Sequence, residues 1–286
     1  MPTTAFFLVL LAAIAHSSWN FLLKSSVQSR HLIWFSSLGE TTLFLPIVLW
    51  MLEQAGWRLS LTAGAFLLLT GILHLFYTEC LQRAYCAGDL SVVYPLARGT
   101  GPLLSFFGAV LALHEHPSRV AMLGALLVSF GILSLLGGAP GLQSRMITGG
   151  LFWGALTGFI IACYTVTDGY SVKVLLLSPI LVDYAGNFFR TLALSSRAWR
   201  ERGTLRQEYR CHWRQALGIS VLTPTGYILV LFAMKLAPVS RVAPVREMSM
   251  IIGAYLGTKL LNEAYGLRRI IGTAVIACGV AALTLS

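Results

Sequence analysis

Apolar and polar positions alternate on a long wavelength in this chain. Apolar runs of about twenty residues, the length a helix needs to cross roughly 30 Å of hydrocarbon, are separated by short polar connections. The runs fall at Thr4–Leu23, His31–Met51, Leu61–Gln82, Ser91–Leu113, Val120–Leu136, Thr148–Thr167, Pro179–Ala198, Ala216–Met234, Val239–Leu261 and Leu267–Leu285. The prediction is an all-α integral membrane protein of ten transmembrane helices, with consecutive helices antiparallel. The first run has no basic stretch before it and reads as a retained helix rather than a signal peptide.

The chain carries an internal repeat. A shift of 148 residues superposes Asn20 on Asp168, Arg98 on Arg246, Glu115 on Glu263, Gly124 on Gly272 and Gly131 on Gly279. The shift is near half the length, so each half holds five helices. Five is odd, so the second unit is expected upside down relative to the first, as in many secondary transporters. The two units are read as residues 1–138 and 148–286.

Composition agrees. Of 286 residues, 56% are apolar and 11% charged, against about 45–50% and about 25% in soluble domains. A soluble enzyme, a disordered chain and a disulfide-stapled miniprotein are all excluded. The five cysteines are scattered without a C-x-x-C and read as packing residues. A net charge of +10 would suggest nucleic acid in a soluble protein. Here it reflects topology instead. Odd-numbered connections hold thirteen Lys and Arg; even-numbered ones and the termini hold five. The excess places odd loops in the cytoplasm and both termini outside, with much of the weight on the Arg197–Arg214 loop.

Polar groups at membrane depth carry the functional information, because each charge there is costly unless it faces a bundle interior or wet cavity. In the fourth run Pro95 and Pro102 bracket Arg98, next to Tyr94; the ninth answers with Pro244, Arg246 and Glu247. The prolines are expected to disrupt the helix ladder and free backbone groups for a ligand. The two arginines are expected on opposite sides of one central cavity, where planar forks favour a carboxylate or phosphonate. Alternatively, Arg246 pairs with Glu247 or Glu40 as a strut. Trp19, Asn20 and Tyr164 are candidates to line the cavity, beside His16.

Glu40 and Glu79 are candidate proton-coupling groups or arginine counter-ions. Asp183, Asn187 and Arg190 share one face of the seventh run. Asp168 reads as a helix-end residue, and His74 and Tyr77 as packing. Gly150, Gly154 and Gly158, and Gly253 with Gly257, read as close-contact stripes. No P-loop or G-x-S-x-G elbow is present, and His114-Glu115-His116-Pro117 lacks the second zincin histidine. The chain reads as a non-enzyme without cofactor or metal.

With HSSWNFLLK at His16–Lys24, VYPLARGTGPLL at Val93–Leu104, the Gly124–Gly131 segment, and REMS at Arg246–Ser249 with Glu263 and Gly272, the chain resembles EamA-type members of the drug/metabolite transporter superfamily over essentially its whole length. The resemblance implies an inner-membrane secondary carrier with ten helices, two EamA repeats and a central cavity formed mainly by helices other than the fifth and tenth. Members are commonly drawn with both termini cytoplasmic, whereas the charge count favours the reverse. A looser likeness extends to members found beside phosphonate-use genes. The expected function is alternating-access transport of a small acidic or zwitterionic metabolite, with a lipophilic-cation exporter as the alternative. Proton or ion coupling, and a monomer or homodimer without nucleic acid, complete the expectation.

Overall fold

A computed structural model describes residues 1–24, 29, 31–54, 56, 59–87, 90–134, 144–249, 252 and 267–285. The helices are α1 (Thr3–Lys24), α2 (Leu32–Gln54), α3 (Leu61–Ala87), α4 (Leu90–Ala112), α5 (Arg119–Ser134), α6 (Ser144–Lys173), α7 (Pro179–Arg200), α8 (Arg202–Leu236), α9 (Val239–Arg246) and α10 (Leu267–Leu285). No strand occurs among the described residues. Among the described residues, five stretches are long and apolar enough to cross a membrane: Thr3–Leu23, Leu32–Gln54, Leu61–Leu81, Gly149–Lys173 and Arg202–Leu236. Most of the ninth predicted span, with Gly253, Gly257, Lys259 and also Glu263, lies outside the described residues.

The outer surface is apolar. Phe7, Leu11, Trp50, Leu123, Phe130 and Phe159 are all more than half exposed. Burying a Leu or Phe is worth about 1.5–3 kcal/mol, so an outer belt of such residues suits hydrocarbon, not water. The interior holds a continuous apolar cluster joining Val9, Phe106, Val128, Ile132, Leu231, Val242 and Ile276.

Packing follows a reciprocal scheme. α3 lies on α6 and α7, while α8 lies on α1 and α2; α2 packs on α7, and α5 on α10. The α5–α10 crossing is made of glycine. A Cβ on Gly124 would stand 2.9 Å from the Gly279 carbonyl oxygen, and one on Gly279 2.7 Å from that of Gly124. One on Gly131 would stand 2.9 Å from the Gly272 oxygen. Each glycine therefore meets the repeat counterpart of the other, a self-complementary contact of the kind a two-fold axis produces.

Three local expectations are corrected. First, α4 stays helical through Pro95 and Pro102. The second-half motif does break its helix: α9 stops at Arg246, and the Glu247 amide turns back to the carbonyls of Pro244 and Val245. Second, the Arg197–Arg214 segment is helix rather than loop, since α7 ends at Arg200 and α8 starts at Arg202. Its 35 residues run roughly 52 Å at 1.5 Å per residue, well beyond the hydrocarbon. Arg202, Arg206, Arg210 and Arg214 make an exposed stripe at four-residue spacing. Glu201 and Glu208 turn inward to His31, at 3.3 and 3.1 Å. Third, Asp168 is wholly buried.

His114 takes the left-handed region (φ 52°) just after α4, which aims Glu115 at the start of α9. Glu115 accepts the amides of Val239 at 2.8 Å and Ser240 at 3.0 Å, and Lys173 of α6 at 2.9 Å. Pro238 gives α9 no side-chain cap; Glu115 supplies a carboxylate at its positive end instead. Burial alone would raise the Glu115 carboxyl, but the hydrogen bonds from Ser240, Lys173 and Val239 outweigh it and hold it below the ordinary value. The unfolded chain thus binds this proton more tightly. The stabilisation is full above about pH 4.5 and disappears as pH falls through the lower folded value. Glu115→Gln is expected to cost about 2 kcal/mol at neutral pH, with the gap from the parent protein closing in acid. Unfolding in detergent across pH 3–7 (about one unit per step) measures it.

Candidate functional site

The two arginines meet at one oxygen. Arg98 Nη1 stands 3.7 Å from Glu247 Oε1, and Arg246 Nε donates to the same oxygen at 3.3 Å. Their residues are 5%, 3% and 0% exposed, so all three face the bundle interior rather than lipid. α4 supplies Arg98. α9 ends at Arg246, and Glu247 follows as its C-cap with both side chains buried. α6 closes the wall: Gly158 allows it to approach the Ala97 carbonyl and Thr100, next to Arg98.

α1 adds His16 and Trp19. Arg98 Nη2 lies 2.6 Å from His16 Nε2, while Trp19 Nε1 donates to His16 Nδ1 at 3.1 Å. Arginine and indole nitrogens only donate, and a neutral imidazole offers one lone pair. Whichever tautomer His16 takes, one of these contacts sets N–H against N–H. Among the described residues, Arg246 Nη2 is also buried with no partner, as are Glu247 Oε2 and the Ser249 hydroxyl. Ser17 of α1 donates to the Ser249 carbonyl at 2.8 Å and pins the chain after α9 beside α1. Among the described residues, two guanidinium groups around one carboxylate leave a net positive charge with Arg246 Nη2 as a surplus donor, which is the chemistry of an anion site.

Tyr164 of α6 is buried against Ala97, the neighbour of Arg98 on α4. Its ring stacks on His74 at 4.4 Å and meets Tyr77 and Tyr227 edge-on at 5.7 and 6.2 Å. Behind it Asp168 accepts from Thr70, from Tyr227 at 2.5 Å and from His74 at 3.2 Å.

Arg98, Arg246 and Glu247 thus meet directly, Trp19 reaches them through His16, and Tyr164 packs against Ala97, the neighbour of Arg98. Asn20 is not among them: its amide bonds back to the His16 carbonyl at 2.7 Å. Glu40 lies elsewhere, between α2 and α7 with Asn187 and Arg190. The Tyr94 side chain lies outside the described residues. The weight of His16 and Asp168 was missed in the sequence. His16 sits in a polar HSSWN run, and Asp168 is the repeat counterpart of Asn20; both are signals that could have raised them.

Residues 148–285 match the EamA-like transporter family. No curated protein matches the sequence. A solved structure titled only "Crystal structure of protein" is 17% identical, with a TM-score of 0.74 over 100% of this chain and 99% of its own. At that identity the likeness speaks to fold alone.

Proposed function

We propose an activity from the premise that the family match supplies: residues 148–285, as an EamA-like repeat, place the chain in the drug/metabolite transporter superfamily, and it is a membrane transporter of that type. The cargo in this reading is a small acidic or zwitterionic metabolite such as an organic acid, amino acid or phosphonate. It moves by alternating access between two inverted five-helix units, residues 1–138 and 148–286. The reading is carried by one observation, the convergence of Arg98 and Arg246 on a single Glu247 oxygen with Arg246 Nη2 left unpartnered. An acidic group on the cargo would take that donor and compete with Glu247 for both forks. Release of Glu247 would change how α4, α1 and α9 hold together, which is a differential contact of the kind a conformational change requires. The reciprocal α3–α6 and α8–α1 packing and the glycine crossing support the inversion.

A lipophilic-cation exporter is the second reading, favoured by the rings of Tyr77, Tyr164 and Tyr227 near a buried Asp168, the elements of a cation–π cage. Against it, Asp168 is already bonded by three side chains. A thermal-shift screen of purified protein against carboxylates, phosphonates, amino acids and lipophilic cations discriminates the two. Stabilisation by anions alone is the expected result; stabilisation by cations alone would reverse the assignment. The charge excess on odd-numbered connections supports a reading in which both termini lie outside the inner membrane, and a C-terminal topology reporter silent in the cytoplasm is the expected outcome.

A further inference from the structure

A second polar cluster sits where α2 crosses α7. The Glu40 and Asp183 carboxyls meet at one amide, since Asn187 Nδ2 donates to Glu40 Oε1 and reaches Asp183 Oδ2 at 3.4 Å, and both residues are buried. Asn187, one turn from Asp183, donates its amide to Glu40 and to the Asp183 carbonyl, the latter at 3.1 Å. Arg190 Nη2 stands 3.9 Å from Glu40 Oε2, and its Nε donates to Ser37 at 2.9 Å. The Asn187 Oδ1 atom, on a residue 4% exposed, has no donor among the described residues.

The charges do not balance. Two carboxylates face one guanidinium, and carboxylate oxygens only accept, so they cannot bond each other without a hydrogen between them. An uncompensated buried charge costs several kcal/mol. Groups on the neighbouring helices do not make up the deficit. α3 contributes His74, whose ring packs on Gly186 of α7; α6 contributes Asp168, which holds His74 at 3.2 Å; α8 contributes Tyr227, bonded to Asp168, and Ser220, bonded to the Ser36 carbonyl. Asp168 is itself negative, so α6 adds to the deficit rather than relieving it.

We propose that this cluster is the proton-binding site of the carrier: one exchangeable proton bridges Glu40 and Asp183, and Arg190 neutralises the charge that remains. The site rests on the transporter reading for its role. Its place suits that role, since α2 and α7 are repeat counterparts that pack on each other, so the pair spans both units. Uptake forms one carboxyl O–H bond from a water-borne proton on one side. Release breaks it to water on the other, leaving one uncompensated negative charge that drives the return. His74 packs on Gly186 of α7 and stacks on Tyr164, which packs against Ala97 beside Arg98, so side-chain contacts connect the two sites.

The test is infrared spectroscopy of the full chain in lipid nanodiscs at neutral pH. The expected result is a protonated-carboxyl C=O band shielded from water, lost in Glu40→Gln and lost separately in Asp183→Asn. In each variant an amide takes the place of the protonated partner, and the remaining carboxylate pairs with Arg190. Absence of the band from the wild type, which depends on no variant folding, overturns the proposal; so does its survival in both variants. Glu115→Gln is the control that keeps the band. In proteoliposomes loaded with the anion that stabilises the protein, Glu40→Gln is expected to keep exchange and lose accumulation driven by a pH gradient. Exchange with unchanged gradient dependence overturns the coupling alone. No flux in the wild type overturns the transporter reading and the coupling role together.

Discussion

Arg246→Ala is expected to weaken binding of an acidic solute by about a hundredfold and to erase the solute's thermal stabilisation of the protein. Truncating one member of a buried charged pair typically costs about 2–5 kcal/mol, and each 1.4 kcal/mol is roughly tenfold. The effect is large because Arg246 offers its Nη2 without competition from any other described partner. The apo protein should survive the change. Glu247 keeps Arg98 at 3.7 Å, so no carboxylate is stranded. Arg246→Lys should fall between the two, because an ammonium keeps the charge and loses the planar fork. Titration of the stabilising anion, read by calorimetry on detergent-solubilised protein, measures all three. Equal affinity in the wild type and Arg246→Ala would remove Arg246 from the site.

The second large effect is expected at the glycine crossing. Gly279→Val should cost about 3 kcal/mol or more and lower the yield of folded protein. A side chain there meets the Gly124 carbonyl at 2.7 Å and the Val128 amide at 2.8 Å, and backbone cannot step aside as a flexible side chain can. Gly124→Val should cost nearly the same, because it meets the Gly279 carbonyl at 2.9 Å and the contact is reciprocal. Gly64→Val is the comparison that should change little, since nothing lies within 4 Å of a Cβ there. Unfolding midpoints of the three variants decide it. A cost at Gly279 with none at Gly124 would argue against a symmetric contact.

The helical, membrane-spanning character was legible because hydrophobic run length alone carries it. The arginines were legible because charge in an apolar run has few tolerated explanations. What was not legible depended on three-dimensional direction. Pro95 and Pro244 looked equivalent, yet only the second-half motif ends its helix, at Glu247. Glu40 was read, like Glu79, as a proton-coupling group or arginine counter-ion, and four-residue spacing on α7 presents Asp183 and Asn187 to it in a cluster separate from Glu247. Asn20 had a plausible polar role and spends its amide on its own helix. Glu115 was read through its histidine neighbours, whereas the left-handed turn at His114 aims it at α9. The basic segment before the eighth run lacked hydrophobicity and was read as loop. Its arginines at every fourth position were a helical signal that a search for membrane spans discards.

Solute flux across sealed proteoliposomes containing only the purified protein tests the central claim most directly. Saturable movement of a carboxylate or phosphonate, lost in both Arg98→Ala and Arg246→Ala while each variant stays folded, is the predicted result. Saturable movement of a lipophilic cation that persists in both variants, with no anion flux, would contradict it.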